Sequence, residues 1–240
     1  MERKSGAEPG PVNTFRKNST TARLGIVLLC ILMLLPWVVV GLGLYVLQDY
    51  RLTMLGYGLI CCLLPVLLFR QKPVRFLPLR VEYWPLAGLV VLMSFVLLGI
   101  FYMARFGIEP ANFHSLAARI HLELSRQAIK YGVYFIVMNP LLEEVFWRGF
   151  IYEEWKRWLS PTQAALVSSF FFGAWHWMIV QMFCPAPWAV FLTLIIMAGG
   201  YIMARLYEET GSLVAPVLLH SLGADIPLLY IVLMLLKTGV

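Results

Sequence analysis

Residues 24–47 run for twenty-four positions without a charged side chain. That length and character match the hydrocarbon thickness of a bilayer, which a helix crosses in about 20 apolar residues. Uncharged runs recur at 52–69, 84–103 and 163–183, and apolar runs broken by one charge each, Arg205 and Asp225, at 188–206 and from 213 to 236. A chain so built must satisfy its backbone internally within lipid, so the runs are read as helices. Composition agrees: 60% of the residues are hydrophobic and 13% charged, about half the charge of an ordinary soluble domain. The predicted fold is all-α, a polytopic membrane helical bundle with seven to eight transmembrane segments and one interfacial amphipathic helix.

Four regions follow along the chain. Residues 1–23 are polar, rich in cations and proline, and predict a disordered cytoplasmic tail rather than a cleavable signal, because the first apolar run is long enough to span. Residues 24–104 hold three spans, the first with Pro36 as a candidate kink. Residues 105–130 carry too many charges to span. Phe113, Leu116, Ala117, Ile120 and Leu124 nonetheless recur at helical spacing, with Pro110 suited to a first turn. This predicts a helix lying at the interface. Residues 131–237 form the core. A fourth span starts near Gly132, and Ser160 and Pro161 cap the fifth. The seventh is interrupted near Gly223–Pro227, so the remainder could form an eighth segment. Lysine and arginine number twelve on one side of this topology and six on the other, which sets the N-terminus inside. The expected location is a prokaryotic cell membrane. The net charge of +6 is spent on topology and lipid head groups, with no nucleic-acid partner indicated. Cys30, Cys61, Cys62 and Cys184 have no metal-ligand spacing and are read as reduced packing residues.

Against this apolar background, Glu143, Glu144 and Arg148 stand inside the fourth span. A charge near mid-bilayer costs roughly 2.5–3.5 kcal/mol, so intramembrane ionisable residues carry function by default. Glu144 and Arg148 are four apart and share a helix face, where they can pair. Such a pair can equally be structural. Glu143 is rotated by about 100° and lacks a local partner, and a buried carboxylate of that kind suits a general base. His176 and His220 fall within later spans. Either alone reads as a packed core histidine; together with the glutamates they suggest a site. His114 and His121, in the interfacial segment, receive no role.

Two chemistries suit two carboxylates and two histidines. Glu143 and His176 could hold and deprotonate a water that attacks a peptide carbonyl, with His220 and a polar neighbour stabilising the oxyanion. Alternatively, Glu143, His176 and His220 could ligate a zinc ion that activates the water. No His-Glu-x-x-His, Gly-x-Ser-x-Gly, P-loop or dinucleotide fingerprint occurs in the sequence.

These residues resemble the CAAX prenyl protease and bacteriocin-processing family, also called the Abi family. Its Glu-Glu-x-x-x-Arg motif is matched by Glu143, Glu144 and Arg148, and its Phe-x-x-x-His motif by Phe172 and His176. Its late histidine is matched by His220, introduced by Thr210-Gly211-Ser212-Leu213-Val214-Ala215-Pro216. The resemblance covers about 130–230. It implies a helical bundle with a conical cavity, peptide-bond hydrolysis, Glu143 and His176 as the water-activating pair, His220 as an oxyanion or ligand group, and Glu144 and Arg148 in support. The third motif departs from the pattern. The position four after His220, where the family has asparagine, is Ala224. Asp225 follows, about 100° off the expected face unless the helix is irregular near Gly223 and Pro227.

The function this implies is an intramembrane endopeptidase acting on a membrane-anchored protein or peptide within the lipid bilayer. The alternative is a non-catalytic scaffold or immunity-type binding protein of the same fold, which the missing asparagine would suit. A proton or solute pathway is a third reading, disfavoured because no repeated halves are evident.

Overall fold

The computed structural model describes residues 19–70, 76–78, 84–104, 110–121 and 126–237. Every described element is helical. We label α1 (19–47), α2 (Tyr50–Phe69), α3 (Trp84–Ala104), α4 (Pro110–Arg119), α5 (126–155), α6 (Pro161–Phe183), α7 (Ala186–Thr210) and α8 (Val214–Lys237).

Five helices are long and apolar enough to cross a membrane: Gly25–Leu47 within α1, α2, α6, α7 and α8. Helix α3 is apolar over a shorter stretch, Pro85–Ile100. Helix α5 does not qualify on composition, because it carries Glu143, Glu144 and Arg148. The chain is therefore an integral membrane protein with five spans of this kind among the described residues, where seven to eight were expected. Helix α8 runs without a break from Val214 to Lys237, so an eighth segment is not needed.

Several boundaries differ from the sequence reading. Helix α1 already begins at Ser19. The rest of the expected tail, residues 1–18, lies outside the described residues. The expected helix over 105–130 is divided: α4 ends at Arg119, and His121 takes a left-handed conformation (φ 58°) that no continuing helix allows. Helix α5 then starts at Arg126, ahead of Gly132. The remaining residues of that segment are outside the described set. Phe113, Ala117 and Ile120 are buried as the amphipathic pattern required, Phe113 against Phe183 of α6. At α6 the predicted cap is present: Gln163 N–H donates to Ser160 Oγ (3.4 Å), Ser160 N–H donates to Gln163 Oε1 (3.0 Å), and Pro161 occupies the first turn. All four cysteines are free thiols.

The helices are not uniformly α. Five stretches, Leu42–Leu47, Tyr57–Leu63, Tyr134–Met138, Trp147–Tyr152 and Ser221–Asp225, have the wider π geometry. Three of these end two residues before a proline: Pro65, Pro140 and Pro227. The reason is local. A proline has no N–H, and its ring collides with the carbonyl four residues back, so the preceding turn widens to a five-residue hydrogen bond. Asn139 N–H accordingly reaches back to Tyr134 O, and Ile226 N–H to Ser221 O. The carbonyls left over are taken by side chains from other helices. Ser221 Oγ donates to Ile136 O, and Ser94 Oγ of α3 donates to Leu222 O (3.0 Å). The same irregularities that relieve the prolines therefore fasten α5, α3 and α8 to one another.

Helices α6 and α7 pack at close range. A methyl group at Gly173 would meet Met197 N at 2.8 Å, and one at Gly200 would meet Phe172 Cδ1 at 2.9 Å. Small residues permit this approach, which in lipid supplies the packing that holds helices together.

Candidate active site

The centre of α5 is buried completely: Glu143 and Arg148 are 1% exposed and Glu144 is 0%. No solvent neutralises these charges, so each must find protein partners. Arg148 Nη1 donates to Glu144 Oε1 (2.9 Å), the pair expected from their spacing. Its Nη2 donates to Gly200 O on α7 (3.0 Å). The guanidinium lies 4.5 Å above the Phe172 ring, a cation–π contact that favours the charge in a dry setting. Gly200 makes this reach possible, since a methyl group there would stand 3.3 Å from Nη2.

Glu144 Oε1 also accepts from His220 Nδ1 (2.8 Å) on α8. The Nε2 of His220 then faces two more carboxylates, Glu143 Oε2 at 3.5 Å and Asp225 Oδ1 at 3.6 Å. The wide turn Ser221–Asp225 accounts for the second. In a regular helix the residue four after His220, Ala224, would stand over the imidazole. The extra residue in the turn brings the fifth, Asp225, to that place. Asp225 is buried. Glu143 Oε2 and Asp225 Oδ2 have no hydrogen-bond partner.

His176 sits on α6, one turn after Phe172. Its Nδ1 is 2.7 Å from Phe172 O. A carbonyl only accepts, so Nδ1 carries the proton, and in the neutral ring Nε2 is left with a lone pair. The imidazole packs on Trp175 (centroids 3.8 Å apart) and meets the edge of Phe172 (4.9 Å), whose ring also meets His220 (5.9 Å). Phe172 is thus wedged among His176, His220 and Arg148. His176 makes its polar contact with its own helix, and the histidine facing Glu143 is His220.

The sequence reading did not include Tyr57, Trp147, Ser221 or Pro140 in the site. Trp147 Nε1 donates to the Tyr57 phenol oxygen Oη (3.2 Å), and the Tyr57 ring packs on Trp175 (4.5 Å). A tyrosine inside an apolar span is itself a signal, because a buried hydroxyl requires a partner.

Among the described residues, no three His, Cys, Asp or Glu side chains are arranged to hold a metal ion. Both histidines do have their Nδ1 committed, as zinc ligands often do.

Residues 125–223 match the family model described as type II CAAX prenyl endopeptidase, Rce1-like. This segment is similar to the Rce1-like family. The Rce1-like segment contains Glu143, Glu144, Arg148, Phe172, His176 and His220, all the motif residues on which the resemblance rested. It stops two residues short of Asp225 and excludes Tyr57. The model's description is that of an endopeptidase family, and residues 125–223 are similar to it. Neither a curated protein nor a solved structure matches the chain.

Proposed function

We propose that the chain is an intramembrane endopeptidase of glutamate type, hydrolysing a peptide bond of a membrane-associated protein or peptide. The observation that carries this reading is the buried cluster of Glu143, Glu144, Arg148 and His220 within an Rce1-like segment. A structural ion pair would need only Glu144 and Arg148. Glu143 and Asp225 add carboxylate oxygens that are desolvated without hydrogen-bond partners, which is costly unless a ligand uses them.

In this reading Glu143 Oε2 takes a proton from water, and the Nε2 lone pair of His176 orients that water. His220 donates to Glu144 through Nδ1 and turns Nε2 toward Glu143 and Asp225, where an Nε2–H would stabilise the oxyanion of the attacked carbonyl. Arg148 keeps Glu144 in place for His220. The excess of cations in the connections expected to be cytoplasmic supports an N-terminus on the cytoplasmic side.

The test is cleavage of a farnesylated peptide ending in a CAAX tetrapeptide by the purified full chain in lipid vesicles. Glu143→Gln should abolish turnover, and a zinc chelator should leave it unchanged. Full turnover by Glu143→Gln removes the proposed base, and loss of turnover on chelation removes the glutamate mechanism.

One observation favours the binding-protein alternative: the residue over His220 is an aspartate, where the resembled family has asparagine. Intact cellular function after both Glu143→Ala and His176→Ala would select that reading.

A further inference from the structure

We propose that Tyr57 is a positioning residue for Glu143: its phenol O–H donates to one carboxylate oxygen, while its own oxygen accepts from the Trp147 indole. The inference rests on the reading of Glu143 as the base. Tyr57 belongs to α2, outside the Rce1-like segment, and is fully buried.

The hydrogen-bond inventory carries the argument. An indole N–H can only donate, so in the 3.2 Å contact between Trp147 Nε1 and Tyr57 the phenol oxygen is the acceptor. The phenol proton is then free for another acceptor. Trp147 is four residues after Glu143 and shares its face of α5, so the phenol lies over the face that carries the carboxylate. Glu143 and the Cys62 thiol are the two acceptors whose electrostatics are felt at the Tyr57 phenol. Of the two, a carboxylate is much the stronger acceptor.

The ring has little freedom. It packs on Trp175 at 4.5 Å, and the neighbouring Gly58 brings the α2 backbone against α5, where a methyl group would stand 3.1 Å from Leu142 Cδ1. Glu143 Oε2 already faces His220 Nε2 at 3.5 Å, so the phenol proton is placed on the other oxygen, Oε1. Tyr57 thereby fixes one oxygen of the base and leaves the other, Oε2, for water. Because Trp175 also stacks on His176 (3.8 Å), the same aromatic row aligns the base with the histidine that orients the water.

Tyr57→Phe keeps the ring and its stacking and deletes only the hydroxyl. The first measurement needs no substrate. The infrared difference between wild type and Glu143→Gln isolates the Glu143 carboxyl band. The same difference taken between Tyr57→Phe and the Tyr57→Phe/Glu143→Gln double variant should show that band displaced. An unmoved band overturns the proposal, and it is also the result expected if Cys62 takes the proton. The second measurement is turnover of the farnesylated CAAX peptide in vesicles, where Tyr57→Phe should lower kcat roughly tenfold or more with KM unchanged. Wild-type kcat with a normal KM also overturns it. Full activity in Glu143→Gln would instead sink the reading of Glu143 as the base and leave the infrared result standing, so the two failures are told apart.

Discussion

Ser221 Oγ donates to the backbone carbonyl of Ile136. The bond joins the helix of the two glutamates to the helix of His220, one residue beyond the histidine. It exists because Pro140 cannot supply the N–H that Ile136 O would otherwise receive.

Removing the donor should therefore loosen the two halves of the site. Ser221→Ala leaves a carbonyl without its partner and should cost about 1–3 kcal/mol, read as a lowered Tm in detergent. Pro140→Ala should behave differently. It restores the missing N–H, lets the turn tighten, and rotates Glu143 out of register. Tm should hold or rise while peptide cleavage falls.

Arg148 satisfies Glu144 and Gly200 O together, so its loss strands a charge in a dry interior. Arg148→Ala should destabilise by about 3–5 kcal/mol. Arg148→Lys keeps the charge but cannot reach both partners in one plane. Thermal unfolding should rank wild type above lysine and lysine above alanine.

Gly200→Ala introduces a methyl group 2.9 Å from Phe172 and 3.3 Å from the Arg148 guanidinium. The expected cost is about 1–3 kcal/mol from overpacking, with a loss of turnover because Phe172 also touches both histidines. Gly211→Ala is the comparison. No atom lies within 4 Å of its added methyl group, and its penalty, about 1–2 kcal/mol, comes only from the left-handed backbone at φ 63°. Activity per folded molecule should be unaffected there.

The wide turn at Ser221–Asp225 makes adjacent positions unequal. Asp225→Ala should lower turnover, roughly a hundredfold if the side chain helps to hold the oxyanion site. Asp225→Asn should retain activity, since an amide can donate there. Ala224→Asn placed in the Asp225→Ala background should not rescue it, because residue 224 is not over His220. Rescue would mean that the turn is regular in the working enzyme.

Asp49, in the turn between α1 and α2, accepts from the Arg51 guanidinium (2.8 Å) and from the backbone N–H groups of Arg51 and Leu52. The Arg51 hydrogen bond, aided by those N–H groups, lowers its pKa from 3.8 to about 2 against a smaller opposing effect of burial. A depressed carboxylate stabilises the fold above its unfolded pKa, and that contribution is lost as pH falls toward 2. Asp49→Asn should therefore unfold more readily than wild type at pH 5 to 7, and the gap should close by about pH 2.

Much of this was legible from residue order. The uncharged runs predicted helices. The Glu144–Arg148 spacing predicted the pair, and Ser160-Pro161 predicted the start of α6. What regular periodicity could not give was the set of turns that depart from it. A 3.6-residue repeat sets Asp225 off the His220 face, and only the widening ahead of Pro227 returns it. The partner of Glu143 was also hidden. Glu143 has no neighbour of opposite charge within one turn that faces it, and His220 reaches it from a helix remote in sequence. Charge counting along α5 likewise could not separate a spanning helix from a buried one, since its charges are satisfied by partners on other helices.

The family match ends at Gly223, inside the turn that holds one residue more than a regular helix. A residue-for-residue alignment there sets Ala224 beneath the expected asparagine and registers a loss. In this chain it is Asp225, one place later, that lies by His220 Nε2 at 3.6 Å. Relatives that carry an alanine at this column and an acid or amide one place later should be sorted with the polar group, and a one-residue deletion at Gly223 should be among the few in a membrane helix that leave a site intact.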